Sequence, residues 1–308
     1  MIYFLDRKLK VAGEGEKPAE NELEIQIITE KEWESGTEYR GHKRELSRSM
    51  EYLQYCKAET FGNCALGTLS VPDKTDVWGT RLEMGYYLTE RQCILIEKRQ
   101  GELDGLLKRL GELEYDGRMG AGLFFAGVLN ELIRDDTIWL QKKEEHLMML
   151  EDELTKQDRV DRKIQETLSS WRKELMLLHA FYEQMADMGE DIQENTEGIF
   201  SAEEVAAFGR FASRADRLHD HVEMLREYAT QIREMYQEQM ELEQNRTMNL
   251  LTVVTTLFLP LSILVGWYGM NFAYMPELQW KYGYGGVILF SILIVAAEIY
   301  YFKKKKMF

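Results

Sequence analysis

Thirty consecutive residues, Thr247 to Pro276, carry no Asp, Glu, Lys or Arg in a chain where those types make up 30% of the side chains. Within this run Leu250 to Tyr268 supplies 19 mostly apolar residues, and Gly285 to Phe302 supplies 18 more with Glu298 as the sole charge. At ~1.5 Å per residue each stretch can cross a hydrocarbon core of ~30 Å. Two membrane spans are therefore expected, at about 250–268 and 285–302, with an outer loop over 271–284. Neither reads as a secretory signal, and Met1 to Lys10 has no sufficiently long apolar core to be one.

Charge gives the orientation. Lys303 to Lys306 follow the second span directly, whereas the intervening loop holds only Glu277 and Lys281. The positive-inside rule then places both termini in the cytoplasm and the protein in the cell (inner) membrane as a multi-pass protein. Glu298 lies near enough to Lys303 for its carboxylate to reach outward toward the lysines.

The net charge of −15 conceals an asymmetry: residues from Asn245 onward carry six cations against two anions, leaving −19 to residues 1–244. With 53 Asp+Glu against 38 Lys+Arg, a polyphosphate partner would be repelled, which argues against nucleic-acid binding and for cations.

The large N-terminal part reads as α+β. Strand-like runs occupy Met1 to Leu5, Leu23 to Thr29, Cys64 to Val71, Met84 to Leu88 and Cys93 to Glu97, the last two forming a hairpin across Thr89 to Gln92. Helical spacing marks Lys43 to Glu59. Prolines stand at 18, 72, 260 and 276, so 187 residues after Pro72 are free of them, suited to long helices.

From Gly120 the period becomes helical, with Leu123, Val128, Leu132, Trp139, Leu147, Leu150 and Leu154 predicting one helix of about 35 residues. A second helix is predicted over Asp161 to Glu190, stopped by Gly189 and an acidic linker. Ser201 followed by Glu204 is a capping-box signal for a third, whose stripe of Phe208, Phe211, Leu218, Leu225, Ile232, Met235 and Met240 runs on into the apolar segment. The domain plan is thus 1–115 as a cytosolic α/β domain, 116–245 as a long-helix funnel or stalk, and 246–308 as the transmembrane domain.

Cys56, Cys64 and Cys93 lack metal or redox spacing and should be reduced thiols. No phosphate-binding glycine loop or nucleophile elbow is present in the sequence, so no enzyme and no organic cofactor is expected. His219 and His221 flank Asp220, but positions two apart on a helix point away from each other. Asp135-Asp136 and Glu151-Asp152-Glu153 read as solvated acidic faces of a helix.

The first span has an unusual face for a lipid anchor. Asn245, Met248, Leu251, Thr255, Leu259, Ser262, Gly266 and Gly269 recur at spacings of three or four, mixing polar, small and apolar types. Such residues suit either close helix packing or the lining of a pore. Two spans cannot enclose a water-filled path, so a pore would require a ring of identical subunits.

Tyr268-Gly269-Met270-Asn271-Phe272 closes the first span, Met275-Pro276-Glu277-Leu278 follows in a short loop, and the second span ends at Tyr301-Phe302 and the lysines. This pattern resembles the CorA family of magnesium channels, strongly over about 60 residues of the chain. The resemblance implies a homopentamer with a cytosolic α/β domain, a helical funnel and the first span lining the pore. It also implies Gly269, Met270 and Asn271 as an outer selectivity filter, with Asn245 as an inner polar ring. Met248, Leu251 and Leu259 would be apolar constrictions, Thr255 and Ser262 intermediate polar positions, and Glu277 an acidic outer mouth.

In this family gating is attributed to Mg²⁺ held between cytosolic subunits by acidic side chains, and Asp216 and Asp220 are the nearest correspondence here. Mg²⁺ would then be both passenger and regulator. Two alternatives stay open: transport of Zn²⁺, Co²⁺ or Ni²⁺ by the same fold, and a membrane-anchored helical scaffold that conducts nothing.

Overall fold

The computed structural model describes the chain except for residues 7, 14–17, 20–21, 37–42, 52–54, 115–118, 157–161, 271–274, 276–279 and 306–308. Its described residues form two compact units. The first comprises Met1–Thr155 with Arg162–Arg233, and the second Lys156–Asp161 with Glu234–Phe308.

Seven strands build the first unit: β1 (Ile2–Leu5), β2 (Leu9–Val11), β3 (Leu23–Thr29), β4 (Lys57–Phe61), β5 (Cys64–Pro72), β6 (Arg81–Leu88) and β7 (Gln92–Glu97). They form one sheet in the order β2-β1-β3-β7-β6-β5-β4, in which β3 and β7 pair parallel and every other pair is antiparallel. The β6–β7 hairpin predicted from sequence is present, with Tyr86 opposite Leu95 and Thr89 N–H donating to the Gln92 carbonyl at 2.9 Å.

All nine residues of β5 are buried, because helices cover both faces of the central strands, and this is why they read as unbroken apolar runs. On one face Trp33, Leu46, Met50, Cys64, Leu66, Tyr87, Ile94 and Ile96 make a core roofed by α1 (Glu30–Ser35) and α2 (Lys43–Glu51). On the other, Tyr86 packs on Phe125 with ring centroids 4.3 Å apart. Phe125 belongs to α4 (Ala121–Leu132), which follows α3 (Asp104–Gly111).

The helix expected over Lys43 to Glu59 is described over Lys43–Glu51 and does not reach Glu59, since Lys57–Phe61 is taken up as edge strand β4. Gly62 at φ 46° and Asn63 form a two-residue turn that sets Phe61 opposite Cys64. The helix expected from Gly120 is likewise interrupted, ending at Leu132 and restarting as α5 (Asp136–Lys156). The freed carbonyls are capped from a distance: Arg214 donates to Asn130 Oδ1 at 3.2 Å, Ile133 O at 3.2 Å and Arg134 O at 2.9 Å.

Just beyond that break Asp136 is 4% exposed, not solvated as its acidic neighbourhood suggested. Its Oδ2 accepts from the Tyr182 hydroxyl at 2.8 Å and pairs with Lys74 Nζ at 3.2 Å. Burial pushes the Lys74 ammonium below its ordinary pKa, an effect that Asp136 opposes.

Helix α6 (Arg162–Glu194) carries Gly189 in its interior instead of ending there. A Cβ at that position would lie 3.0 Å from Ala212 Cβ and 3.0 Å from Phe211 Cδ1, so glycine allows α6 and the next helix to touch. The stop comes at Asn195, whose φ of 44° ends the helix.

Helix α7 (Ala202–Tyr268) starts on the expected capping box, with Ser201 N–H donating to Glu204 Oε2 at 2.9 Å. The other carboxylate oxygen of Glu204 accepts from Gly122 N–H at 2.9 Å, so one side chain caps α7 and anchors the start of α4. Phe208, Phe211, Leu218, Leu225 and Ile232 are each 3% exposed or less, confirming the stripe as far as Ile232, whereas Met235 is half-buried and Met240 is exposed.

In the second unit the end of α7 is joined by α8 (Gly283–Lys304). Both helices are long and apolar enough to cross a membrane. Glu298 does not meet the lysines among the described residues; its Oε2 is buried without a hydrogen-bond partner.

Candidate functional site

The candidate pore residues lie on the last third of α7. Asn245, Met248, Leu251, Thr255, Leu259, Ser262 and Gly266 are three or four residues apart and therefore share one helical face. All seven are exposed on the isolated chain, with Met248, Leu251 and Leu259 at 57%, 57% and 63%.

The opposite face is the covered one. Val253 is 2% exposed, and Leu257, Pro260, Leu261, Leu264 and Tyr268 are partly buried. At ~100° per residue these positions project roughly opposite the seven. Helix α7 thus packs through one apolar face within its unit and leaves its mixed polar face open.

Local hydrogen bonding fixes what that face can offer. Thr252 Oγ1 donates to Met248 O at 2.8 Å, and Thr255 Oγ1 lies 2.9 Å from Leu251 O and 3.0 Å from Thr252 O. Each hydroxyl proton is directed back into the helix, so outward the Thr255 oxygen offers lone pairs, which suits a cation or its water shell.

Gly269 N–H donates to Val265 O at 2.9 Å and Met270 N–H to Trp267 O at 3.3 Å, closing the helix where the predicted filter begins. Asn271 and Glu277, the predicted filter amide and outer-mouth carboxylate, lie outside the described residues.

Asp216 and Asp220, the regulatory candidates, are both exposed on α7 one turn apart. Together with His219 each can place a ligand atom within 4.8 Å of the others. His221 turns elsewhere, its Nε2 standing 3.4 Å from Glu144 Oε2. Sequence reasoning overlooked His179 and Glu223, which also stand beside His219; the four-residue step from His219 to Glu223 was the available signal.

Fold and site together define a two-span membrane protein whose large α+β unit leads, through one continuous helix, into an apolar segment with an open polar face. The CorA-like Mg²⁺ transporter protein family matches residues 32–304, and the chain belongs to that family.

The cobalt/magnesium transport protein CorA of Thermotoga maritima is 27% identical over 179 residues, 58% of this chain and 50% of that protein. The magnesium transport protein CorA of Escherichia coli strain K12 is 48% identical over 64 residues, 21% of this chain and 20% of that protein. The aligned part thus spans half or less of these curated relatives. The complete structure of the CorA magnesium transporter from Methanocaldococcus jannaschii superposes with a TM-score of 0.77 at 21% identity, covering 98% of this chain and 97% of that one.

Proposed function

We propose that the chain is one subunit of a homopentameric channel that passes Mg²⁺ down its electrochemical gradient across the cell membrane, with both termini in the cytoplasm. The carrying observation is the open face from Asn245 to Gly266, opposite the covered face of the same helix and ending at Gly269-Met270-Asn271. A ring of such helices would turn these faces toward a common axis and cover them.

In this reading five Asn271 amides bind the water shell of the arriving ion. Mg²⁺ gives up that shell reluctantly, so neutral oxygens that hydrogen-bond its waters select it without full dehydration. Met248, Leu251 and Leu259 close the path by excluding water, and Glu277 raises the cation concentration at the mouth. At ~2.3 kcal/mol per charge per 100 mV a divalent ion gains roughly 4.6 kcal/mol on entry, so no organic cofactor is required. Asp216 and Asp220 serve as the regulatory site that closes the channel when cytosolic Mg²⁺ is high.

Proteoliposomes loaded with a Mg²⁺-sensitive dye test this reading. Flux is expected for the parent chain and its loss in Asn271→Ala; no parent flux, or an Asn271→Ala variant that conducts like the parent, overturns it. The Thermotoga relative is described as a cobalt/magnesium transport protein, which supports including Co²⁺, with Ni²⁺ and Zn²⁺, as competitors in the same assay.

A further inference from the structure

Helices α6 and α7 lie antiparallel within the first unit. Gly189 meets Ala212 at one level, and His179 meets His219 and Glu223 further along. His179 Nε2 is 2.5 Å from Glu223 Oε2, and the rings of His179 and His219 have centroids 4.1 Å apart. One ligand atom from each of the three residues falls within 4.8 Å of the other two.

We infer that His179, His219 and Glu223 form a binding site for a transition-metal dication of the Zn²⁺, Co²⁺ or Ni²⁺ class, joining α6 to α7. Two imidazoles and one carboxylate suit these ions, whereas Mg²⁺ takes oxygen ligands almost exclusively. His219 and Glu223, four apart on one helix, present a two-ligand face of the kind that helical zinc motifs use, and the facing helix supplies the third ligand.

A second observation comes from the His219 ring. Its Nε2 is buried with no hydrogen-bond partner among the described residues, while its Nδ1 lies 3.8 Å from Asp220 Oδ1, too far for a hydrogen bond. A buried imidazole nitrogen without a partner is a cost that a ligand removes.

The site is also reachable, with side-chain exposures of 20% for His179, 22% for His219 and 50% for Glu223. Without an ion Glu223 Oε2 is already engaged, by a 2.5 Å hydrogen bond with His179 Nε2 that a metal would replace and by Arg226, whose Nη1 is 3.8 Å away.

This inference stands apart from the conduction reading, because it concerns a resident ion and is tested without flux. Purified full-length chain, stripped with a chelator, is loaded with one equivalent of Zn²⁺ in excess Mg²⁺ and studied by X-ray absorption. Scattering from two imidazoles is expected; the chain has five histidines and none in its apolar segments, so that signature cannot arise from the pore.

Affinity is then read by competition with a chromophoric chelator. His179→Ala with His219→Ala should weaken Zn²⁺ binding at least ~100-fold. His146→Gln and His221→Gln should leave it unchanged. An all-oxygen shell around the bound Zn²⁺, or unchanged affinity in the folded double variant, overturns the site. The absorption measurement needs no substitution and decides the matter even where a variant does not fold.

Discussion

Tyr182 donates its hydroxyl to Asp136 Oδ2 at 2.8 Å, linking α6 to the first residue of α5 in a place where Asp136 is only 4% exposed. Lys74 completes the group at 3.2 Å. Asp136→Ala leaves the Lys74 ammonium with only the Pro72 carbonyl at 3.5 Å and the buried Tyr182 hydroxyl without its acceptor, and should destabilise the chain by about 3–5 kcal/mol. Adding Lys74→Met should recover part of that loss. Denaturant unfolding of the parent, the single and the double variants checks both.

Glu204 serves two helices with one carboxylate, accepting from Ser201 and from Gly122. Removing a cap costs ~1 kcal/mol, and an orphaned buried N–H adds about 1–3 kcal/mol. Glu204→Ala is therefore expected to lose about 2–4 kcal/mol in the same unfolding measurement, well beyond an ordinary surface substitution.

Helical glycines should respond in opposite directions. Gly127 has nothing within 4 Å of an added Cβ, so Gly127→Ala should stabilise by up to ~1 kcal/mol. Gly189→Ala makes the same propensity gain but presses on Ala212 and Phe211, where overpacking costs about 1–3 kcal/mol, so a net loss is expected. Paired thermal melts give the two signs directly.

Alkaline pH should weaken the fold through its thiols. Burial raises the Cys56 thiol from an ordinary 9.0 to about 11, and raises Cys64 and Cys93 as well. A raised thiol pKa means that the folded chain holds its proton more tightly than the unfolded chain. That contribution is complete below pH 9.0 and is lost as pH rises toward about 11. All three cysteines are buried, so a maleimide should label them only in denaturant.

The proposed ring has a direct test. Leu259 is 63% exposed on the single chain, and the three native thiols are buried. Leu259→Cys in membranes, treated with an oxidant, should give covalent dimers. A lysine-directed cross-linker applied to the parent chain should give a ladder ending at five subunits. A ladder that stops at two would favour the non-conducting anchor.

Much of the sheet could be read from sequence because Leu23–Thr29, Cys64–Pro72 and Gln92–Glu97 are apolar runs bounded by polar turns. The apolar spans and the Ser201 cap were legible for the same reason: each signal is local. The break between α4 and α5 was not, because nothing in Ile133 to Asp135 forbids a helix and the capping guanidinium comes from Arg214, some 80 residues away.

Gly189 misled for a related reason. Glycine punctuates helices often enough to suggest a stop, yet here the missing side chain serves a contact with Ala212 that only the folded chain reveals. Of the site, the open face of α7 was visible as a periodicity, whereas the group of His179, His219 and Glu223 joins residues of two helices, with His179 and His219 standing 40 positions apart. Asp136 was misjudged because an acidic run gives no sign that one of its members faces inward.

The open face of α7 contains amides, thioethers, hydroxyls and aliphatic carbons, and its Thr255 proton is already committed to the helix. Nothing along it exchanges protons between mild acid and mild alkali. A passage lined in this way would conduct alike in acid and neutral media, so acidification could reach the protein only through groups off that face, Glu277 at the proposed mouth and the histidines and carboxylates of the rest of the chain.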